Sequence, residues 1–241
     1  MSSTTQRSHF ISDDFIKFCR DYVDSTEGKN SSVWKLENEK DGVSVYTRQI
    51  EESTTTGSST QLAFRISGIV KATAEEAFEA SRNVHFKAIQ KNAVEEAKIL
   101  VDHHTDPTDP YDLVYQRTPS PNTYLVAKRE FFTARFFDKR DGRYQIYERS
   151  IDPESIPSVG RKALQTIGGV REAGNIVAQI SFQIIEFEQV TETTAKFEVM
   201  SRMSMGGWIP AYLIAAVMKI APQKARDEME SCIKLYRESK K

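Results

Sequence analysis

Histidine and cysteine are scarce in this sequence, four and two among 241 residues, and their scarcity narrows the chemistry first. Cys19 and Cys232 sit near opposite ends at no metal or redox spacing, which points to a reduced, intracellular protein. His103 and His104 stand among Asp102, Asp106 and Asp109. Adjacent side chains of an extended segment point opposite ways, so this cluster reads as a solvated turn. His9 lies in the N-terminal segment and His85 on or beside a helix, neither at a spacing that serves a nucleophile. No Gly-x-Ser-x-Gly elbow, phosphate-cradling glycine loop or helical metal pair occurs. We therefore expect no catalytic residue, no metal and no cofactor, and an enzyme is the less favoured class.

An excess of charge of one sign is also missing. A formal net charge of -1 argues against nucleic acid as a partner and against permanent docking on anionic membranes by bulk charge. Met1 to Ser12 is rich in serine and threonine and has no apolar core of a signal peptide. The longest apolar run, Trp208 to Met218, falls short of the ~20 residues that span a bilayer. The sequon Asn30-Ser31-Ser32 is silent without secretion. With 39% hydrophobic and 28% charged residues, the expectation is a soluble cytoplasmic protein with one core. Residues 1–12 are expected to be a flexible tail and 13–241 a single domain.

Periodicity places the elements. Phe15, Phe18, Cys19, Tyr22 and Val23 mark an amphipathic helix over Asp13 to Val23, with Asp13 as its cap. Val33–Leu36 and Val43–Thr47 read as strands joined at Lys40-Asp41-Gly42, Ser53–Thr60 as a loop, and Gln61–Val70 as a third strand. Thr73 with Glu76 forms a capping box for a second helix. Strands follow at Val94–Val101, Tyr111–Gln116, Tyr124–Phe137 and Tyr144–Ile151, with a proline-stiffened loop at Thr118–Asn122. Pro153–Gly169 reads as irregular. Two long strands, Ile176–Phe187 and Ala195–Met205, lead to a terminal helix that Pro222 is expected to kink or divide.

That helix is the most informative feature present. Gly206-Gly207-Trp208-Ile209-Pro210 supplies a strand end and a helix start, and Ala211 to Met218 is apolar on nearly every side. Such a helix needs apolar cover all round. On the strand around Arg129, alternation puts Arg129, Phe131, Thr133, Arg135 and Phe137 on one face. Two placements fit: an apolar cavity with one polar anchor, or arginines at a solvent-facing edge.

Together these features resemble the START (StAR-related lipid transfer) domain family over about residues 13 to 240. The resemblance rests on Trp34, Asp41-Gly42-Val43, Val45-Tyr46 and Gly68-Ile69-Val70. It continues through Arg129-Glu130-Phe131, Tyr147-Glu148-Arg149-Ser150, Ile156-Pro157, Gly169-Val170-Arg171 and Gly206-Gly207-Trp208-Ile209-Pro210. In Ile209-Pro210, Pro222, Met229, Cys232 and Tyr236 the tail is most similar to the phosphatidylcholine-transfer branch. The resemblance implies an α+β helix-grip fold: a curved antiparallel sheet of about nine strands around a long C-terminal helix, enclosing a tunnel for one lipid. It places Arg135 where the sterol-binding branch carries its buried arginine, and Gln116 near that branch's acid. The family's Trp-Asp pair after the second helix is absent, the region reading Ile89-Gln90-Lys91-Asn92.

The resulting expectation is a monomeric lipid carrier making transient membrane contact, with phospholipid first and sterol second because Arg135 lacks a carboxylate nearby. Expected ligand contacts are Arg135, Gln116, Tyr147, Arg149, Phe131, Thr133, Phe137, Trp208, Tyr212 and Ala216. The helix from Trp208 to Ile220 is expected to act as a lid hinged at Gly206-Gly207, opening with the Thr118–Asn122 loop. The rivals are a lipid-gated regulatory or sensor module and, less favoured, an enzyme on a related helix-grip fold.

Overall fold

The computed structural model describes residues 10–25, 33–54, 57–89, 94–103, 111–120, 127–165, 174–207 and 211–241, with the backbone alone at 49–62, 87–89 and 211–215. Ten strands form one sheet: β1 (Lys35–Lys40), β2 (Val43–Thr54), β3 (Gly57–Val70), β4 (Glu96–Asp102), β5 (Tyr111–Thr118), β6 (Arg129–Arg140), β7 (Arg143–Ser150), β8 (Ile176–Val177), β9 (Gln179–Thr191) and β10 (Thr194–Ser204). Their order is β1-β2-β3-β10-β9-β7-β6-β5-β4, antiparallel throughout. The short β8 lies off this path, parallel to β6. The helices are α1 (Asp13–Asp24), α2 (Ala74–Arg82), α3 (Val84–Ile89), α4 (Ser158–Gln165) and α5 (Ala211–Ser239).

Local chemistry explains most boundaries. Asp41 and Gly42 have φ of 51° and 75°, the left-handed pair that a tight hairpin turn demands between β1 and β2. Thr73 and Glu76 form the expected capping box on α2. On α1 the cap is Ser12, not Asp13: its side chain accepts from the Phe15 N–H at 3.2 Å. Phe10 and Ile11 are buried ahead of it, so packed structure begins three residues before the boundary read from the sequence.

Four other expectations change. The Ser53–Thr60 loop is a hairpin, since β2 and β3 stay paired from Ser44 and Ser67 out to Thr54 and Gly57. Pro153–Gly169 contains α4, with Gly160 and Leu164 buried. The strand expected from Ile176 is two, with β8 on β6 and β9 on β7 and β10. Pro222 does not divide the terminal helix, which runs unbroken for 29 residues. Strand order makes the chain cross the sheet between β3 and β4, and α2 and α3 make that crossing.

Both faces of the sheet are covered. Even-numbered residues of β6 (Phe132, Ala134, Phe136) join Tyr147, Ile184 and Met200 under α1, whose Ile16, Cys19 and Val23 are buried there. Odd-numbered ones face the other way. Phe137 meets Phe78 of α2 edge to face at 6.2 Å, in a cluster with Ile146, Phe187, Phe197 and Cys232 and Ile233 of α5. This second face is the one the long helix grips, and the α+β helix-grip arrangement is the one expected.

Candidate functional site

Register converts strand parity into one line of residues across the gripped face. Asp102 stands opposite Asp112, Asp112 opposite Arg135, Arg135 opposite Glu148, Glu148 opposite Gln183 and Gln183 opposite Ser201. Phe64 and Thr47 continue the line onto β3 and β2. Asp112, Arg135, Glu148 and Ser201 are all buried, at 1%, 3%, 3% and 0% exposure. A polar row therefore crosses the middle of a face that is otherwise mostly apolar.

Arg135 is the centre of the row. Its Nε donates to Asp112 Oδ1 at 2.8 Å, and Nη2 bonds Asp112 Oδ2 and, at 2.9 Å, the Arg82 carbonyl closing α2. Nη1 makes no hydrogen bond among the described residues. Burial works against the charge, but the Asp112 carboxylate outweighs it and holds the guanidinium above its usual range. The ring of Phe137 adds a cation–π contact, 5.3 Å from Arg135 Cζ. On the far side, Glu148 Oε2 accepts from Gln183 at 2.8 Å. One step along β6 the hydroxyl of Thr133, fully buried, has no partner among the described residues.

The sequence-predicted residues fall into three groups. Arg135, Thr133, Phe131 and Phe137 do share the gripped face. Within it, Phe137 is part of the packed cluster with α2, whereas Phe131 packs with Ala178 and Ile180 at the other end. Gln116 shares the face but stands opposite Phe131, four residues along β6 from Arg135, so it is not the arginine's neighbour. Asp112 takes that place, and Arg135 does have a carboxylate. Tyr147 and Arg149 lie on the opposite face: Tyr147 stacks on Phe136 and bonds Asp138 at 3.1 Å, and Arg149 covers Phe15 of α1 at 5.2 Å. Burial first, then Asp138, pushes the Tyr147 hydroxyl pKa up, as suits a group fixed in a core. Ala216 is exposed; Trp208 and the side chain of Tyr212 lie outside what is described.

Sequence reasoning missed Asp112, Glu148, Gln183 and Ser201. Asp112 has the parity of Gln116, and choosing between them required the β5–β6 register. The resemblance places the acid near Gln116, too far along β5; of the strand expected from Tyr124, residues 124–126 lie outside the described residues and β6 begins at Arg129. Of the histidine turn, His103 stacks on Tyr111 at 5.0 Å, while His104, Asp106 and Asp109 lie outside the described residues. Among the described residues no cluster of histidine, cysteine and carboxylates could hold a metal ion, and no helix is long and apolar enough to cross a membrane.

Above the row lies α5. Its C-terminal half is fastened by Arg226 Nη1 to the Asp41 carbonyl at 2.9 Å, and by Arg237 to Glu76 at 3.0 Å and to the Lys71 carbonyl at 3.1 Å. Its N-terminal half shows Val217 and Ile220 exposed at 41% and 46%. The link from β10 passes through Gly206 and Gly207, with φ of 62° and 60°. Glycine adopts the left-handed region at no steric cost, so two glycines suit two consecutive residues there.

Comparison with known proteins supplies the remaining context. A family model for the START domain matches residues 25–239. The fold is similar to human STARD10, with a TM-score of 0.70 at 15% identity over 98% of this chain and 85% of that one. It is similar to human StAR-related lipid transfer protein 5, with a TM-score of 0.69 at 15% identity over 94% and 100%. A third likeness is the StAR-related lipid transfer protein fragment of Xanthomonas axonopodis, TM-score 0.59 at 18% identity over 84% and 99%. No curated protein matches the sequence.

Proposed function

This chain belongs to the START domain family, and we propose that it takes up one lipid between the gripped face of the sheet and α5 and carries it between membranes without any covalent step. One observation carries the reading: a buried polar row on the face under α5, with the Thr133 hydroxyl beside it unpartnered among the described residues, in a floor that is mostly apolar on either side. An apolar floor accepts hydrocarbon, gaining about 0.8 kcal/mol per methylene removed from water, and the row supplies a place for one polar end. An unpartnered buried hydroxyl costs about 1–3 kcal/mol, which a ligand's hydrogen bond would offset.

The polar end is constrained by charge. Phospholipid stood ahead of sterol because a solitary guanidinium would attract phosphate. Arg135 is not solitary. Asp112 neutralises it and Glu148 stands beside it, so a bare anion meets net negative charge there. An uncharged hydroxyl or a zwitterion suits the row better, which moves sterol level with or ahead of phosphatidylcholine and leaves acidic phospholipids last. The N-terminal half of α5, exposed at Ala216, Val217, Lys219 and Ile220 and hinged at Gly206-Gly207, is the lid in this reading. The protein works as a cytoplasmic monomer that touches membranes transiently.

Mass spectrometry of lipid co-purified with the native protein tests the ligand, and transfer of fluorescent sterol and fluorescent phosphatidylcholine between vesicles tests the activity. One bound neutral or zwitterionic lipid per chain is expected, with transfer of at least one probe. Protein that purifies free of lipid and moves neither probe would sink the proposal.

A further inference from the structure

The hinge glycines are held from two sides. Arg129, first residue of β6, is 2% exposed and directs its whole guanidinium at backbone carbonyls. Nε donates to Met205 O and Nη2 to Gly206 O, each at 3.1 Å, and Nη1 donates to Ala127 O. Among the described residues it has no carboxylate partner, unlike Arg135 with Asp112. Across the link sits Ile176, held on β6 by its N–H bond to Lys128 O at 3.0 Å. A Cβ on Gly207 would stand 2.4 Å from Ile176 Cδ1, and one on Gly206 2.8 Å from Cγ2.

A buried cation with only neutral acceptors is the unusual part. Burial moves its pKa downward, and among the described residues no opposite charge compensates. A guanidinium bonds an ionised oxygen about twice as strongly as a neutral one, and its fork matches phosphate bidentately. The group also lies close under the surface. Gly207 is exposed, and a Cβ built on it would be 3.8 Å from Arg129 Nη2.

We propose that Arg129 is a latch on α5, closed by the carbonyls of Met205 and Gly206 and released when the phosphate of an anionic membrane lipid takes the guanidinium instead. Release frees the two carbonyls, and Gly206-Gly207 can then swing. The latch rests on the reading of α5 as a lid, yet it is observable without any lipid transfer.

Hydrogen exchange of the segment 204–218, read by mass spectrometry on the full chain, tests it. Phosphatidylcholine vesicles containing phosphatidic acid should speed exchange about tenfold, the effect of losing a charge-assisted hydrogen bond, and phosphatidylcholine alone should do far less. Arg129→Lys keeps the charge and loses the fork. It should exchange about tenfold faster with no vesicle present and respond no further to the acidic ones. Ile176→Ala should loosen the same segment but keep the acidic response. Unchanged exchange in Arg129→Lys, or a full acidic response from it, overturns the latch. A full response of the unmodified protein to inorganic phosphate overturns the membrane as its trigger. If Arg129→Lys does not fold, the comparison of the two vesicles decides. Fast exchange in Arg129→Lys with no lipid carried by any form supports the latch and removes the transfer function.

Discussion

The two ends of the gripped face, on either side of the polar row, are built on different principles. Toward the β6–β7 turn, Phe137, Ile146, Ile185, Val199, Ile66 and Val45 form the next register line. Phe78 of α2 and Cys232 and Ile233 of α5 close over it with almost no exposure. Space there is so tight that a Cβ on Gly68 would stand 2.7 Å from Phe197 and 2.8 Å from Val43. Toward the start of β6, Phe131 is buried with Ala178 and Ile180 beside Met203 and Met205, the Thr133 hydroxyl has no partner among the described residues, and β10 leads toward α5 through two glycines. Among the described residues, one end is closed over by α2 and α5, and the other keeps a buried hydroxyl without a partner. In the lid reading proposed above, α5 is anchored over the first end and moves over the second.

The boundary between the ends is where the largest effect is expected. Asp112→Ala strips the counter-ion from buried Arg135 and should cost about 3–5 kcal/mol in urea unfolding, whereas Asp112→Leu with Arg135→Met should recover most of it. A small loss for Asp112→Ala would mean the row is wet and the two ends communicate. In the packed end, Gly68→Ala should lower stability by about 1–3 kcal/mol, because Phe197 and Val43 have nowhere to go. A harmless Gly68→Ala would show that this end is not solid. In the open end, Thr133→Val should do the reverse and raise the stability of lipid-free protein by about 1 kcal/mol, since it deletes an unpaired hydroxyl at constant shape. The same change should weaken discrimination between ligands in the vesicle assay.

The smallest effect belongs to the anchor of α5. Hydrogen bonding from Arg237, ahead of the opposing burial, lowers the pKa of Glu76. A depressed carboxylate pKa adds stability above the unfolded value, and that stability disappears as pH falls through the folded value. Both groups are partly exposed, so the loss should stay under about 1 kcal/mol and shrink in salt. Thermal melts from neutral pH down through the carboxylate range should show it in the native chain and not in Arg237→Ala.

Much of this contrast was legible in the sequence, and the gaps have physical causes. Thr73 with Glu76, Asp41-Gly42 and the helix after Gly206-Gly207 act through neighbours in the chain, so local chemistry revealed them. Alternation correctly grouped Arg135 with Thr133, Phe131 and Phe137. It could not choose between Asp112 and Gln116 or reject Tyr147 and Arg149, because those depend on register and on which face α1 occupies. Helix α4 escaped notice because it is only eight residues long and carries Gly160 near its start. Gly160 is there for closeness, its absent Cβ leaving room for Ile156 at 2.7 Å.

Pro222 gives α5 a mechanical character. A proline inside a helix removes one rung of the i to i−4 ladder, and here the missing rung falls between the half held by Arg226 and Arg237 and the half that exposes Val217 and Ile220 and is held at Lys219 by Asn38. The 11 residues from Pro222 back to Ala211 make an arm of about 16 Å at 1.5 Å per residue. Tilting that arm by about 15° lifts its tip by about 4 Å, close to the spacing of neighbouring strands. In the lid reading proposed above, Pro222 is where the arm would bend and Gly206-Gly207 where its far end would give, with the Arg226 and Arg237 clamps behind it. The Asn38 bond to the Lys219 carbonyl, at 2.6 Å, is the contact ahead of it that opening must break.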